Sequence, residues 1–257
     1  MSLAERLAGL KRDPALESLK RSLDVYYGDT AREAAMDALY ARFVQPGDLA
    51  FDIGSHVGDR IGAFRRLGAR VVALEPQPLC AHAIRAIYAG DTNVTLVESA
   101  CGPAAGKISL HVNTANPTVT TASRDFVKAA DGAGGWEGQV WDREIEVPVT
   151  TLDALIAAHG APNFVKIDVE GFEADVLAGL SQALPALSFE FTTIQRDVAY
   201  ACLARIAALG DYGFDLALGE SQTLDLGRWV TADDMRAHIA ALPHAANSGD
   251  VYAVRRN

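Results

Sequence analysis

Cysteine is scarce in this chain. Cys80, Cys101 and Cys202 are scattered and odd in number, which excludes a disulfide framework or a thiolate metal site and points to a reducing compartment. Basic charge is also short. Lysine and arginine number 23 against 33 acidic residues, giving a net charge of −10 and a pI near 5.0. Nucleic-acid phosphates and anionic membrane surfaces call for the opposite sign, so neither is an expected partner. No apolar run approaches the roughly 18 residues that span a bilayer. Met1 to Lys20 alternates charged and apolar residues and has no signal-peptide core. A soluble cytoplasmic protein is expected. Repeats and low-complexity tracts are missing too.

What is present is an alternation of strand and helix patterns. Apolar residues at 49% and a length of 257 are enough for one sizeable α/β domain. Residues 1–45 read as a helical extension, with Leu3, Leu7 and Leu10 on one face and Ala35, Leu39, Tyr40 and Phe43 forming a second stripe. Pro46-Gly47-Asp48 ends it, and 46–257 is the main domain. There the pattern predicts strands at 49–53, 70–75, 94–99, 145–149, 163–169 and 187–192, interleaved with helices near 58–67, 78–89, 151–158, 171–179 and 195–209. Lys107 to Val112 reads as a hairpin arm, and Phe214 to Leu218 with Val251 to Arg255 as a closing antiparallel pair. Such a chain forms a mostly parallel sheet with helices on both faces, and ligands sit at the carboxyl ends of its strands. Residues 113–143 break the rhythm with Asn, Thr and Gly. They read as a lid insertion with Trp136 and Trp141 lining it; surface anchoring is the plainer role for those two rings.

The most informative stretch is Leu49-Ala50-Phe51-Asp52-Ile53-Gly54-Ser55-His56-Val57-Gly58-Asp59, an apolar strand ending in an acid and a glycine-bracketed turn. A second strand, Val71-Val72-Ala73-Leu74-Glu75-Pro76, also ends in an acid. Two parallel strands with acids at their tips suit a nucleoside: glycine lets the backbone approach, and the second acid accepts both ribose hydroxyls. A dinucleotide site wants a third glycine and a helix N-terminus facing pyrophosphate. Here only Gly54 and Gly58 are present and Asp52 precedes them. A negative charge at that position suits the ammonium and sulfonium of S-adenosylmethionine, with S-adenosylhomocysteine as product. An NAD-dependent oxidoreductase is the alternative, and a non-catalytic cofactor-binding module a second one.

A third motif, Phe164-Val165-Lys166-Ile167-Asp168-Val169-Glu170-Gly171-Phe172-Glu173, resembles the hallmark of the FkbM-type S-adenosylmethionine-dependent methyltransferases. Phe51-Asp52-Ile53-Gly54 and Ala73-Leu74-Glu75-Pro76 are similar to that family's first two cofactor motifs. Val147-Pro148-Val149-Thr150-Thr151-Leu152-Asp153 is similar to its lead-in and Leu187-Ser188-Phe189-Glu190-Phe191 to its next strand. The resemblance spans roughly 48–195. It implies a Rossmann-like, seven-stranded class I methyltransferase sheet and methyl transfer to a hydroxyl of a sugar, glycan or polyketide-like small molecule. One departure is that Ser55 and His56 stand where the family often has Ala-Asn, so that asparagine's contact is not carried over.

Each candidate also has a plainer role. Glu75 is the expected ribose acceptor, beside Pro76; otherwise it is a helix-start acid. Asp52, Gly54, Ser55, His56 and Gly58 make the cofactor loop, or an ordinary capped turn. Glu98, Ser99 and Ala100 are expected to frame the adenine, although Glu98 and Ser99 alternate and only one can point inward. Lys166 is expected to pair with Glu190, leaving Asp168 free at the strand tip for the methionine portion or the acceptor; a register-fixing ion pair is the plainer reading. Glu190, Asp168 and His56 are the candidate bases for an acceptor hydroxyl. No metal is assigned, though Asp168, Glu170 and Glu190 together offer oxygen ligands to a hard cation.

Overall fold

Ten helices, ten strands and three 3-10 turns follow one another in the computed structural model, which describes residues 1–256. Helix α1 (Leu3–Arg12) opens on a capping box in which Ser2 accepts from the Glu5 amide and Glu5 accepts from that of Ser2. Helices α2 (Lys20–Tyr27) and α3 (Thr30–Tyr40) follow. Then come β1 (Leu49–Ile53), α4 (Asp59–Arg66), β2 (Arg70–Leu74), α5 (Pro78–Ile87) and β3 (Val94–Val97). After β4 (Ala100–Cys101) and β5 (Gly106–Val112) the chain runs through α6 (Arg124–Ala130), β6 (Arg143–Thr150), α7 (Leu152–His159), β7 (Phe164–Ile167) and α8 (Glu173–Ala178). It closes with β8 (Ala186–Thr192), α9 (Arg196–Leu209), β9 (Tyr212–Leu218), α10 (Ala232–Ala241) and β10 (Ser248–Arg255).

Seven strands form the main sheet in the order β3-β2-β1-β7-β8-β10-β9, and only β10 runs against its neighbours. This is the expected Rossmann-like α/β methyltransferase sheet. It is buried on both faces, so its strands alternate between two cores. Phe51, Ile53, Val165, Ile167, Leu187 and Phe189 pack with helices α7 to α10. Ala50, Val71, Ala73, Phe164 and Ala186 pack with α3 and α4. The order reverses between β1 and β7, and that switch point opens a crevice at the strand tips.

Several boundaries differ from expectation. Strand 145–149 belongs to a separate three-stranded sheet, β4-β6-β5, where it pairs with the arm at 106–112. Segment 113–143 contains α6, and its aromatic residues form their own small core. The Trp136 ring stands edge-on to Phe126 at 5.0 Å, and Trp141 Nε1 donates to the Val119 carbonyl at 2.8 Å. Before β1 the helices span parts of 3–40, and Leu10, Leu16, Leu19 and Leu23 pack against Cys80, Ala83 and Ile87 of α5. No helix among the described residues is long and apolar enough to cross a membrane.

Candidate functional site

The glycine turn after β1 is tied to the neighbouring strand. Gly54 and Ser55 amides both donate to the Leu74 carbonyl at 3.0 Å, and Ser55 Oγ donates to the Asp52 carbonyl at 2.9 Å. Gly54 has φ +86°, and a Cβ there would run into the Asp168 carbonyl oxygen, so both the conformation and the close approach require glycine. The turn thereby brings the tips of β1, β2 and β7 around one cavity.

Glu75 stands at the centre of this arrangement. It is 2% exposed, and its two oxygens accept the His56 amide at 2.8 Å and the Gln77 amide at 2.7 Å. Burial pushes its carboxyl up to about 8, with the two amides opposing. His56 has φ +47° and a half-buried ring; burial lowers its imidazole to about 4, so the ring is neutral at ordinary pH. Its Nδ1 lies 3.6 Å from Cys80 Sγ and its Nε2 3.3 Å from Thr118 Oγ1.

Of the residues predicted for the site, Gly54, Ser55, His56, Glu75 and Pro76 line the cavity, as do Ser99, Ala100, Asp168 and Glu190. Three others do not. Glu98 follows the end of β3 and turns outward to pair with Arg85, while Ser99, in the bend that follows, lines the cavity. Gly58 begins α4, and a Cβ there would meet Tyr88 and Ile61 instead of a ligand. Asp52 lies outside the lining with both carboxylate oxygens buried and unpartnered. Burial raises it to about 7, with Arg60 opposing, so the full negative charge expected beneath the loop is only partly present at neutral pH.

The expected Lys166–Glu190 pair is not formed. Lys166 Nζ contacts Asp250 Oδ1 at 2.6 Å and Asp168 Oδ2 at 3.1 Å, and the lysine is fully buried. The reason is register: Lys166 lies opposite the small Ser188, while Glu190 lies two residues further along, opposite Asp250. The long lysine chain passes the serine and reaches the carboxylate on β10. Burial works to raise the Asp168 carboxyl, but Lys166 and Arg60 outweigh it and hold the group below its usual range. Glu190 and Glu170 are pushed well above theirs, by burial first and by the neighbouring carboxylates second. Oxygens of Asp168, Glu170 and Glu190 lie within 4.8 Å of one another.

Other lining residues had no sequence motif. Tyr26 reaches the cavity from α2, and Thr118, Thr120 and Ala122 come from the segment after β5. Trp136 and Trp141 line no part of it. Arg60 and Arg32 clamp Asp59 at 3.0 and 2.9 Å and Glu220 at 3.2 and 2.8 Å. Burial works against ionised Glu220, but the two guanidiniums hold its carboxyl down to about 2. The one available signal was Arg60 itself, a base in the first turn of α4, where a helix disfavours cations.

Residues 52–216 match the Methyltransferase FkbM domain. The 31-O-demethyl-FK506 methyltransferase FkbM of Streptomyces tacrolimicus is 31% identical over 183 residues, which cover 59% of this chain and 68% of that protein. Solved structures similar to the chain include a precorrin-6y C5,15-methyltransferase from Geobacter metallireducens GS-15, 14% identical with a TM-score of 0.46 over 87% of each chain. Another is a TehB-like SAM-dependent methyltransferase from Corynebacterium glutamicum, 9% identical with a TM-score of 0.43 over 86% of this chain and 88% of that one. On the extent of the domain match and the identity to its relative, the chain belongs to the FkbM methyltransferase family.

Proposed function

We propose that this protein transfers a methyl group from S-adenosylmethionine to a hydroxyl oxygen of a sugar, glycan or polyketide-like small molecule. The observation that carries the donor assignment is Glu75: a buried carboxylate at the tip of β2, facing the cavity beside the Gly54 turn. Its oxygens each accept one amide and retain lone pairs for two ribose hydroxyls. Ser99 and Ala100 border the position of the base, and Asp168, kept ionised by Lys166, suits the methionine ammonium. An oxygen acceptor is supported by the similar Streptomyces protein, whose name describes a 31-O-demethyl substrate. The oxidoreductase alternative is not carried further, because the family is one of methyltransferases.

When bound, S-adenosylmethionine supplies an electrophilic methyl on a cationic sulfonium. The chain's own residues must align the acceptor behind that methyl, exclude water and remove the hydroxyl proton. Glu190 is the preferred base of the three candidates. Asp168 is held ionised by a lysine and is correspondingly weak, while the His56 ring is lowered to about 4 and faces Cys80 and Thr118. Glu190, pushed up by burial, is the more basic group once ionised.

The test is calorimetric titration with S-adenosylhomocysteine, followed by radiolabelled methyl transfer to a panel of hydroxylated acceptors. Glu75→Ala is expected to weaken product binding more than tenfold, since each lost hydrogen bond to a charged acceptor contributes about 1.5–3 kcal/mol. An unchanged affinity would reduce Glu75 to a loop-ordering acid and sink the donor assignment. Tight binding with no transfer to any acceptor would favour a cofactor-holding module.

A further inference from the structure

S-adenosylmethionine is a nucleoside that ends in an amino acid, and the donor reading above gives its ribose, base and ammonium their partners but leaves its carboxylate with none. The strand order says where that end lies. Ser99 and Ala100 border the base on the β3 side and Glu75 meets the ribose at β2, so the amino-acid end runs the other way. It passes the turn after β1 towards Asp168, which follows β7, and the start of α4. A carboxylate arriving there meets an acidic wall. Asp59, Glu75, Asp168, Glu170, Glu190 and Glu220 all line the cavity, and among the described residues Arg60 is the one lysine or arginine that does.

We propose that, given that donor reading, Arg60 receives the carboxylate of the donor's methionine portion and makes the site selective for donors that carry one. Arg60 stands in the first turn of α4, directly after the glycine turn, and its side chain is 12% exposed. One of its terminal nitrogens donates to Asp59 at 3.0 Å and the other to Glu220 at 3.2 Å, which fixes the plane of the guanidinium. Each of those nitrogens carries a second hydrogen, so both can donate to a ligand oxygen without giving up the bond already made.

Arg32 contacts the same two carboxylates at 2.9 and 2.8 Å, so the two guanidiniums and two acids balance in charge. What Arg60 offers is therefore a rigid, charge-assisted donor pair more than a net positive field. Its neighbour completes the match. The Arg60 charge helps to hold the Asp168 carboxyl in its ionised form, which places the two groups side by side. The ammonium and carboxylate of an amino acid sit on one carbon, and an adjoining acid and base receive them together.

The experiment is calorimetry of the full chain with three ligands. S-adenosylmethionine is compared with its decarboxylated form, which keeps the nucleoside, sulfonium and amine, and with 5′-methylthioadenosine, which lacks the amino acid altogether. Charge alone would favour the decarboxylated form in an acid-lined cavity, so a preference for the carboxylate requires a specific partner. The parent protein is expected to bind S-adenosylmethionine about tenfold or more tighter than the decarboxylated form, the loss of one hydrogen bond between charged groups. In Arg60→Gln that preference should largely disappear, with the decarboxylated form bound no more weakly than by the parent. Arg32 keeps Asp59 and Glu220 paired in this variant, and unchanged 5′-methylthioadenosine affinity reports an intact nucleoside site. Arg60→Lys retains the charge but only one donating nitrogen, and it should keep part of the preference. Equal affinity of the parent for the two donors, or a full preference surviving in either variant, overturns the role of Arg60 and leaves the donor reading standing. Failure of all three ligands to bind the parent would overturn the donor reading itself.

Discussion

At the scale of single residues, burial sets the working range of the proposed donor site. Glu75 is pushed up to about 8, so in the free protein much of it is protonated at neutral pH. The charged and titratable neighbours are few: Asp52 raises it further, the buried Cys80 thiol adds no charge, and the His56 ring is neutral. Ribose hydroxyls donate to a carboxylate and favour its ionised form, so binding lowers the pKa and releases a proton. The affinity for S-adenosylhomocysteine should therefore rise as pH increases towards about 8 and level off above it. In Glu75→Gln that slope should vanish. Calorimetry in buffers of different ionisation enthalpy counts the released protons directly, and a zero count in the parent protein would refute the coupling. The sign for folding is the opposite. Between the unfolded value near 4.5 and the folded value near 8 the native state holds the extra proton, so Glu75 lowers stability as pH rises through that window. His56 acts on the acid side, where stability present above about 6.5 is lost as pH falls towards about 4.

At the scale of elements, the Lys166 ion cluster joins three strands, β7, β8 and β10, at the antiparallel end of the sheet. Lys166 is fully buried between Asp168 and Asp250, and it passes over Ser188 to reach the second. Removing the cation leaves two carboxylates in a water-poor site. Lys166→Met should destabilise the fold by about 3–5 kcal/mol, the usual penalty for an uncompensated buried charge. Adding Asp250→Asn to that variant should recover part of the loss, so the two effects should be clearly non-additive. A urea denaturation series on the singles and the double measures the coupling. Additive losses would mean that the contact contributes nothing to the fold. The same comparison with Glu190→Gln is expected to show a smaller coupling, because Glu190 feels the lysine's charge without a hydrogen bond to it.

At the scale of the whole molecule, what could be read from the chain was whatever is local. Alternating apolar runs located β1, β2, β7 and β8, and the acids and glycines at their ends located the cavity, since strand tips at a switch point are its walls. Two things were not local. The Lys166 partner depended on register against β10, and Asp250 carries no motif. The N-terminal helices gave only amphipathic stripes, which show that a face is buried but not against what. Yet they complete the site. Tyr26 lines the cavity, Tyr27 Oη donates to the Val57 carbonyl of the glycine turn after β1 at 2.8 Å, and Arg32 bridges Asp59 and Glu220. Their apolar residues also cover α4 and α5, through Leu16, Leu19, Leu23, Met36 and Tyr40. A chain lacking 1–45 should therefore expose two patches of core, aggregate and lose product binding. A milder change separates the two roles. Tyr27→Phe keeps the packing and removes the hydrogen bond to Val57 together with the 3.3 Å contact to Tyr88 Oη, for about 0.5–1.5 kcal/mol of stability each. Loosening Val57 beside His56 should weaken S-adenosylhomocysteine binding several-fold as well. Thermal unfolding and calorimetry of that variant decide between the roles. Lower stability with unchanged affinity would make these helices a cover for the sheet, with no part in shaping the cofactor loop.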